Sequence, residues 1–226
     1  MYGDIISVLL EEQYRSNKLI MGFSSKMLYD DKIRANKSNE SCSLSDLEGA
    51  KTTPETISPL IYIDTRGNKK YFEDGSLKSK HPTSISIKSD TRSKFNNGEV
   101  KLVLDHLNKL TAAGIRCQDI AIISPYNKQV NTIKKKVNYT FKSVEVGSVD
   151  SFQGREKEAV IMSLVRSNHE GQVGFLNDFR RINVGMTRAK KHLCVIANSS
   201  TLSKGGSFLG KFCKYLLKYG VTRSPK

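Results

Sequence analysis

The sequence predicts an α/β domain in which helices cover both faces of a parallel β-sheet. Strand candidates such as residues 159–165 are apolar along almost their whole length, which is typical of strands buried on both sides. Amphipathic helix candidates alternate with these strands along the chain. No segment repeats at a regular interval, so a solenoid is not indicated.

Several short runs rich in apolar and β-branched residues are predicted to be strands. They lie at residues 5–10, 60–64, 120–123, 144–149, 159–165 and 193–197. The lengths of these runs suit strands better than helices. Ser124-Pro125 ends the third run, because proline cannot continue the ladder of a central strand.

Other segments carry apolar residues at the three- and four-residue spacing of a helix with one buried face. They lie at residues 17–29, 98–114, 126–137, 179–189 and 208–219. The apolar stripe of the second segment comprises Val100, Val103, Leu104, Leu107 and Leu110. Gly114 is placed to end this helix.

The remaining segments indicate how the chain is organised. Residues 30–59 are rich in Ser, Asn, Lys and Thr without periodicity, and we expect a flexible insertion there. Residues 65–97 are expected to be mostly loop. We therefore expect one domain over residues 1–204, followed by a C-terminal helix and a basic tail at residues 205–226.

The composition favours an anionic partner and an intracellular location. The chain has 37 Lys and Arg residues against 22 Asp and Glu, a formal net charge of +15. Such a surface attracts nucleic-acid phosphates, although a merely solvated lysine-rich surface would give the same charge. Cysteines are widely separated, so neither disulfides nor a metal site is predicted. No apolar run reaches the roughly 20 residues of a membrane helix, and we expect cytoplasm or nucleus.

The first candidate site is Gln13-Tyr14-Arg15, directly after the first strand candidate. Ligands of open α/β sheets bind at the carboxyl ends of the strands, so these side chains are expected there. Tyr14 could stack on a base, and the planar guanidinium of Arg15 could reach a phosphate. A tyrosine that caps the core beside a solvated arginine is the alternative.

The second candidate site is the polar cluster at residues 148–156, between two strand candidates. Gly154 would let the backbone approach a ligand closely, and Glu156 could accept a hydrogen bond from a sugar hydroxyl. A charged, solvated turn is the alternative. A Walker A phosphate loop is absent from the whole chain.

The third candidate site is the basic stretch at residues 180–191. On a helix, Arg188 would lie roughly 200° around from Met186 and would project away from the core. An arginine in that position could serve a site built by another domain. A solvated basic face is the alternative. The predicted buried stripe of this helix comprises Phe179, Ile182, Met186 and Ala189.

Together these residues resemble motifs IV to VI of the superfamily-1 helicases of the up-frameshift and immunoglobulin-mu switch-binding type. The matching stretches are QYR at 13–15, SPY at 124–126, SVDSFQGREKEAVI at 148–161 and FLNDFRRINVGMTRAKKHLCVI at 175–196. The family implies a RecA-like P-loop NTPase fold, here the second motor domain without the P-loop. One departure is clear: the family usually continues QYR with Met-His-Pro, and this chain has Ser16-Asn17-Lys18.

The resemblance also implies a role for each matched residue. Arg15 and Arg188 would contact the γ-phosphate of ATP as arginine fingers. Tyr14 would stack on adenine and Glu156 would bond the ribose. The residues implied to bind the nucleotide are Tyr14, Gln153, Gly154, Arg155 and Glu156. The residues implied to contact single-stranded RNA or DNA are Ser124, Tyr126, Asn127, Ser148, Asp150 and Phe152.

The function implied is that of the second motor domain of an ATP-dependent 5′-to-3′ helicase acting on RNA or DNA. Magnesium and the ATP phosphates would be held mainly by a Walker-A-bearing first domain, in cis or in trans. The chain is therefore expected to be a fragment, a split gene or a degenerate copy, inactive alone. The alternative is a non-catalytic nucleic-acid-binding or scaffold module derived from a helicase. A basic domain that binds an acidic protein partner lacks supporting motifs.

Overall fold

The computed structural model describes residues 8–74 and 94–225 of the chain. The strands are β1 (Glu12–Gln13), β2 (Arg34–Ala35), β3 (Leu60–Asp64), β4 (Ile120–Ser124), β5 (Glu145–Ser148), β6 (Lys157–Ser163), β7 (Ala189–Ala197) and β8 (Val221–Arg223). The helices are α1 (Lys18–Leu28), α2 (Asn97–Ala112), α3 (Asn127–Val137), α4 (Phe179–Met186), α5 (Ser199–Leu202) and α6 (Ser207–Tyr219).

Six parallel strands form the central sheet, in the order β5-β4-β6-β7-β3-β8. Successive residues of each strand point to opposite faces, so Leu60 and Tyr62 belong to one core cluster while Ile61 and Ile63 belong to the other. Helices α1, α4 and α6 cover the first face, and α2 and α3 cover the second. The predicted α/β architecture, a parallel sheet between helical layers, is confirmed.

The strand predicted at residues 5–10 is wrong where the structure describes it. Residues 8–10 have no regular secondary structure, and Val8 and Leu10 are 81% and 80% exposed. Residues 5–7 lie outside the described ranges. The edge strands of the central sheet are β5 and β8, and the described part of this run pairs with neither. Only the short β1 follows, and it pairs with β2 outside the central sheet.

Residues 30–59 differ from the expected flexible insertion, because they pack against the body of the domain. Leu44 is fully buried in the second core cluster. The Lys51 N–H donates to the carbonyl of Ala113 at the end of α2 (2.8 Å). Thr56 is also buried, and its hydroxyl donates to the Lys51 carbonyl (2.7 Å). A few well-placed apolar residues thus hold a segment whose overall composition is polar.

The C-terminal segment is integrated with the rest of the chain. Leu209, Phe212 and Leu216 of α6 are buried in the first core cluster. After α6, β8 pairs with β3 and extends the sheet, where a basic tail was expected. Within residues 65–97, the described part before α2 contains one turn of 3-10 helix, and residues 75–93 lie outside the described ranges. No helix in the described ranges is long and apolar enough to cross a membrane.

A buried polar network joins α2 and α3 to the carboxyl end of β6. The backbone N–H of Asn96 donates to Gln129 Oε1 (2.8 Å), and Gln129 Nε2 donates to the hydroxyl of Ser163 (2.9 Å). Ser163 donates in turn to Glu99 Oε2 (2.6 Å), which also accepts from the Val165 N–H (2.9 Å). Burial raises the pKa of Glu99 to about 8.

Glu99→Gln is expected to remove a pH-dependent loss of stability. Because the pKa of Glu99 rises from 4.5 to about 8 on folding, the folded chain keeps a proton that the unfolded chain releases. The free energy of unfolding therefore falls as pH rises between these values, by roughly 2 kcal/mol from about pH 6.5 to about pH 8. Glutamine does not titrate and keeps an acceptor for Ser163 and Val165.

Urea denaturation of both proteins at several pH values between about 6.5 and about 8 checks this prediction, because the difference between them at each pH removes the contribution of the histidines that they share. The unfolding free energy of the variant relative to that of the unaltered chain should rise by roughly 2 kcal/mol over this range. Parallel slopes for the two proteins would show that Glu99 is not the titrating group.

Candidate nucleotide and nucleic-acid sites

The Gln13 side chain closes the turn that presents Tyr14 and Arg15. Its Oε1 accepts hydrogen bonds from the backbone N–H groups of Arg15 and Ser16 (both 2.8 Å), and its Nε2 donates to the Ser16 carbonyl (2.6 Å). The backbone is thereby fixed while the side chains on either side of it remain accessible. Tyr14 is 66% exposed, and its hydroxyl donates to Glu12 (2.8 Å). The alternative of a tyrosine that caps the core is excluded.

Two hydrogen bonds join this turn to the start of β7. The Ser16 hydroxyl donates to the carbonyl of Ala189 (2.6 Å), and the Asn17 N–H donates to the carbonyl of Lys190 (2.8 Å). Asn17 is also the N-cap of α1, since its side chain accepts from the Leu19 N–H (2.8 Å). The departure from Met-His-Pro therefore still starts a capped helix and anchors it to the sheet.

The turn lies at the amino ends of the strands, and the prediction that it lies at their carboxyl ends is wrong. Ala189 is the first residue of β7, and the neighbouring strand β6 starts at Lys157, whose N–H donates to the Arg188 carbonyl (2.9 Å). The prediction assumed that the residues before Gln13 form a strand of the sheet. The described residues before Gln13 form no strand of the central sheet, so the rule about carboxyl ends does not apply to this turn.

Arg188 lies between α4 and β7, because α4 ends at Met186. The helical-wheel argument for its direction is therefore wrong, and backbone carbonyls set its orientation instead. Its Nε donates to the Val184 carbonyl (2.9 Å), and Nη1 donates to the Arg155 carbonyl (3.1 Å). Arg188 is half-buried, and its burial, reinforced by the positive charge of Arg15, lowers its pKa from the ordinary value.

Of the four residues predicted to form the buried stripe of this helix, three are buried. Ile182, Met186 and Ala189 are at most 1% exposed, whereas Phe179 is 38% exposed. Ala189 is buried as a residue of β7 and not of the helix. The helix is shorter than the periodicity predicted.

One cavity of about 640 Å³ brings together four of the residues predicted to bind the nucleotide. These are Tyr14, Arg15, Glu156 and Arg188. Arg15 Nε lies 2.7 Å from Glu156 Oε2 in an ion pair at the mouth of the cavity. The cavity therefore has two guanidinium groups, one carboxylate and two exposed aromatic rings, those of Tyr14 and Tyr29, on its wall.

The other three predicted nucleotide residues lie beside the cavity and do not line it. Gln153, Gly154 and Arg155 are exposed, and Gly154 has a φ of +79°, which favours glycine. The Arg155 side chain pairs with Glu145 (2.9 Å), and only its carbonyl reaches Arg188. We call the side of the sheet where the strands end the carboxyl edge, and the side where they start the amino edge. Because β5 ends at the carboxyl edge and β6 starts at the amino edge, residues 149–156 run from one side to the other.

The residues predicted to contact nucleic acid lie at the carboxyl edge, but only half of them are accessible. Asn127 and Asp150 are exposed and Ser148 is half-buried. The other three side chains are buried, at most 3% exposed in the case of the aromatic rings and 1% in the case of the serine, and the contact of their loops with nucleic acid stays a prediction. These residues are Ser124, Tyr126 and Phe152.

Tyr126 illustrates how these side chains are held inside the domain. Its hydroxyl donates to the Val173 carbonyl (3.0 Å), and burial raises its pKa. Both Tyr126 and Phe152 belong to the first core cluster. The aromatic side chains of a mostly polar loop can therefore be buried in the core. The loop sequence has no regular spacing of apolar residues that would predict this burial.

Sequence reasoning assigned no role to Phe175, a prominent aromatic residue at the carboxyl edge. Its ring is 59% exposed and lies 5.9 Å from the Tyr126 ring. The guanidinium of Arg181 lies 5.9 Å from the same ring and 3.5 Å from Asp150. The signal available in the sequence is a phenylalanine in a polar loop directly after Gly174, which has a positive φ.

Comparison with known proteins agrees with these motifs. Residues 2–200 match a protein-family model described as "AAA domain". The chain is 40% identical over 223 residues to DNA-binding protein SMUBP-2 of Rattus norvegicus, and 40% identical over 214 residues to DNA polymerase alpha-associated DNA helicase A of Schizosaccharomyces pombe. It is 32% identical over 204 residues to the Regulator of nonsense transcripts 1 homolog of Neurospora crassa. The chain belongs to the superfamily-1 helicases of the up-frameshift type.

The similarity covers nearly all of this helicase domain and a small part of each relative. The matches take in 99%, 95% and 87% of this chain, respectively. They span 21%, 31% and 17% of the three relatives. The chain therefore corresponds to a helicase motor domain that makes up about a sixth to a third of each relative's length.

Arg188→Ala and Met186→Asp are expected to have different effects on the stability of this helicase domain. Met186 is 1% exposed, and aspartate there would place an unpaired charge in the core at a cost of roughly 3–5 kcal/mol. Arg188 packs against carbonyls at the wall of a cavity, so its loss should cost less than about 1.5 kcal/mol.

Thermal unfolding monitored by circular dichroism separates the two variants. The expected order of melting temperatures places Arg188→Ala close to the unaltered chain and Met186→Asp far below it. A drop of equal size in both variants would identify Arg188 as a structural residue.

Proposed function

We propose that this helicase domain is the second motor domain of an ATP-dependent 5′-to-3′ helicase and that it supplies Arg15 and Arg188 as arginine fingers. The observation that carries the proposal is the convergence of both arginines, Glu156 and Tyr14 on one cavity. The direction of movement follows from the family resemblance.

The residues of the cavity suit a nucleoside triphosphate. The volume of about 640 Å³ lies within the range of small-molecule sites. Two guanidinium groups suit phosphate oxygens, a carboxylate suits a ribose hydroxyl, and the exposed ring of Tyr14 suits a base. When bound, Mg-ATP supplies the phosphoanhydride bond that is hydrolysed, and the proposed first domain would hold the magnesium and most of the phosphate contacts.

The Arg15–Glu156 ion pair couples two of the proposed roles. When Arg15 turns towards a phosphate, the Glu156 carboxylate loses its partner and becomes available to a ribose hydroxyl. Lys190, 3.8 Å from Glu156, keeps a positive charge beside the carboxylate. Arg188 is held independently by the carbonyls of Val184 and Arg155, so it keeps its place during this exchange. Positive charge delivered to a phosphoryl group as the domains close stabilises the transition state.

We further propose that the carboxyl edge binds single-stranded RNA or DNA. Asn127, Ser148 and Asp150 offer polar groups there, and Phe175 offers an exposed ring for a base. Arg181, beside Phe175, brings positive charge to a phosphate or a base plane. The net charge of +15 supports a polyanionic ligand.

Arg188→Ala is expected to lower the kcat of the assembled motor by roughly 10³-fold or more, because an arginine finger acts in the transition state. The assay uses this domain fused to, or mixed with, a Walker-A-bearing first domain, with nucleic acid present. The matched control is Arg116→Ala, whose exposed guanidinium pairs with Asp119 and lies outside both proposed sites.

The control should retain the turnover of the unaltered motor, and the domain alone should show none above background. Turnover that Arg188→Ala leaves unchanged would favour the alternative of a non-catalytic nucleic-acid-binding or scaffold module.

Phe175→Ala is expected to weaken the binding of single-stranded nucleic acid by roughly five- to tenfold, the loss of about one stacked base. The matched control is Tyr139→Ala, because Tyr139 is 89% exposed and follows α3 at the opposite end of the sheet. Fluorescence anisotropy with labelled oligonucleotides at increasing salt measures both variants. Affinity should fall steeply with salt in every case, since phosphate contacts release counterions. Equal losses for the two variants would remove Phe175 from the proposed site.

A further inference from the structure

A groove between α1 and α6 is separate from both proposed sites. Its volume is about 420 Å³. It is lined by Phe23, Lys26, Met27, Lys211, Lys214, Tyr215, Lys218 and Tyr219. Helix α1 lies between this groove and the nucleotide cavity, because Met21, Ser24 and Ser25 of the same helix line that cavity.

The outer face of α6 has a composition that the fold does not require. Buried residues of α6 point into the first core cluster. Lysines and tyrosines alternate along the other face at three- and four-residue spacing, at positions 211, 214, 215, 218 and 219. The lysines are exposed, and the rings of Tyr215 and Tyr219 lie 4.6 Å apart. The result is an apolar floor with ammonium groups around it.

Positive charge predominates in the groove within the described part of the chain, and Asp31 is close enough to act electrostatically on Tyr215. No Asp or Glu is among its lining residues. Its four lysines form no ion pair with any acidic residue that the structure describes; they are Lys26, Lys211, Lys214 and Lys218. Lys218 Nζ lies 5.1 Å from the Tyr219 ring, a cation–π contact. A ligand with carboxylates and an apolar side chain would complement both features.

We propose that this lysine–tyrosine groove binds an acidic segment of a partner protein, with an apolar side chain of the segment in the groove and its carboxylates against the four lysines. Short helices or extended segments commonly bind such grooves through spaced apolar anchors. Nucleic acid suits the groove less well. The Tyr215 ring packs against Phe23 (5.5 Å) and Tyr219, and its hydroxyl donates to the Leu19 carbonyl (2.9 Å), so it is not free to stack on a base. The groove also contains no arginine.

The test measures the fluorescence anisotropy of labelled probes at physiological ionic strength, with the full chain as the receptor. The first probe is a peptide of Glu-Glu-Phe repeats, and its matched control is a peptide of Glu-Glu-Ser repeats with the same charge. A labelled oligothymidine is the nucleic-acid probe. The receptor variants are Lys211→Glu with Lys214→Glu in the groove, and Lys134→Glu with Lys135→Glu on the exposed face of α3 as the charge-matched control.

We expect the groove variant to weaken Glu-Glu-Phe binding by roughly tenfold or more, and the α3 variant to weaken it by less than about twofold. The Glu-Glu-Ser peptide should bind at least about tenfold more weakly than the Glu-Glu-Phe peptide. If thermal unfolding shows that the double groove variant does not fold, Tyr219→Ala replaces it. Tyr219 is 41% exposed, and its substitution removes apolar surface from the groove without changing the charge.

Three results would overturn the proposal. The first is equal binding of the two peptides, or equal losses in the two charge-reversed variants, which would show non-specific attraction. The second is a groove variant that loses oligothymidine binding and keeps peptide binding, which would make the groove a nucleic-acid surface. The third is the absence of measurable Glu-Glu-Phe binding by the unaltered chain.

Discussion

The proposed nucleotide site depends on two hydrogen bonds that join the turn after β1 to the start of β7. They run from the Ser16 hydroxyl to the Ala189 carbonyl and from the Asn17 N–H to the Lys190 carbonyl. Each is worth only about 0.5–1.5 kcal/mol of stability. Their structural effect is larger, because they place Arg15 beside Arg188, which immediately precedes β7. Residues from distant parts of the sequence thereby share one cavity.

The parallel sheet separates the two proposed sites and also connects them. The nucleotide cavity lies at the amino edge, and the exposed residues Asn127, Asp150 and Phe175 lie at the carboxyl edge. Residues 149–156 cross from one edge to the other, with Asp150 near their start and Glu156 at their end. One segment of chain therefore links the proposed nucleic-acid site to the carboxylate that pairs with Arg15. This arrangement supports the proposal that the domain couples the two ligands.

Most of the regular secondary structure could be predicted from the sequence. A helix or strand that is buried on one or both faces has apolar residues at a characteristic spacing, and this spacing is visible in the sequence. The helix at residues 98–114 and the strand at residues 60–64 are examples, and both are confirmed within a residue or two. The strand prediction for residues 5–10 is wrong over the described residues 8–10, because a short apolar run does not show whether it pairs with the sheet or stays exposed. A flexible insertion was expected at residues 30–59 because their composition is polar. Single apolar residues such as Leu44 nevertheless anchor this segment to the core.

The candidate sites were predictable as motifs and much less so as geometry. The family resemblance predicts that Tyr14, Arg15, Glu156 and Arg188 share one site. The structure places all four on one cavity. Which way each side chain points depends on tertiary contacts. Backbone carbonyls orient Arg188, and Tyr126 and Phe152 pack in the hydrophobic core. Neither arrangement can be read from the spacing of residues in the sequence. The way in which Gln13 closes the turn could not be predicted either, since it depends on hydrogen bonds between its side chain and the local backbone.

The most direct test of the central claim, that the junction with β7 positions Arg15, is a double-mutant cycle of Ser16→Ala and Arg15→Ala, measured as kcat of the assembled motor. Ser16 borders the same cavity, but it is only 2% exposed and its hydroxyl is bonded to the Ala189 carbonyl, so we expect it to act through the turn. Arg188 keeps its own carbonyl contacts when the Ser16 hydroxyl is removed. The account predicts that Ser16→Ala lowers kcat by roughly tenfold alone and by less than about twofold when Arg15 is already alanine. Losses that multiply in the double variant would contradict it.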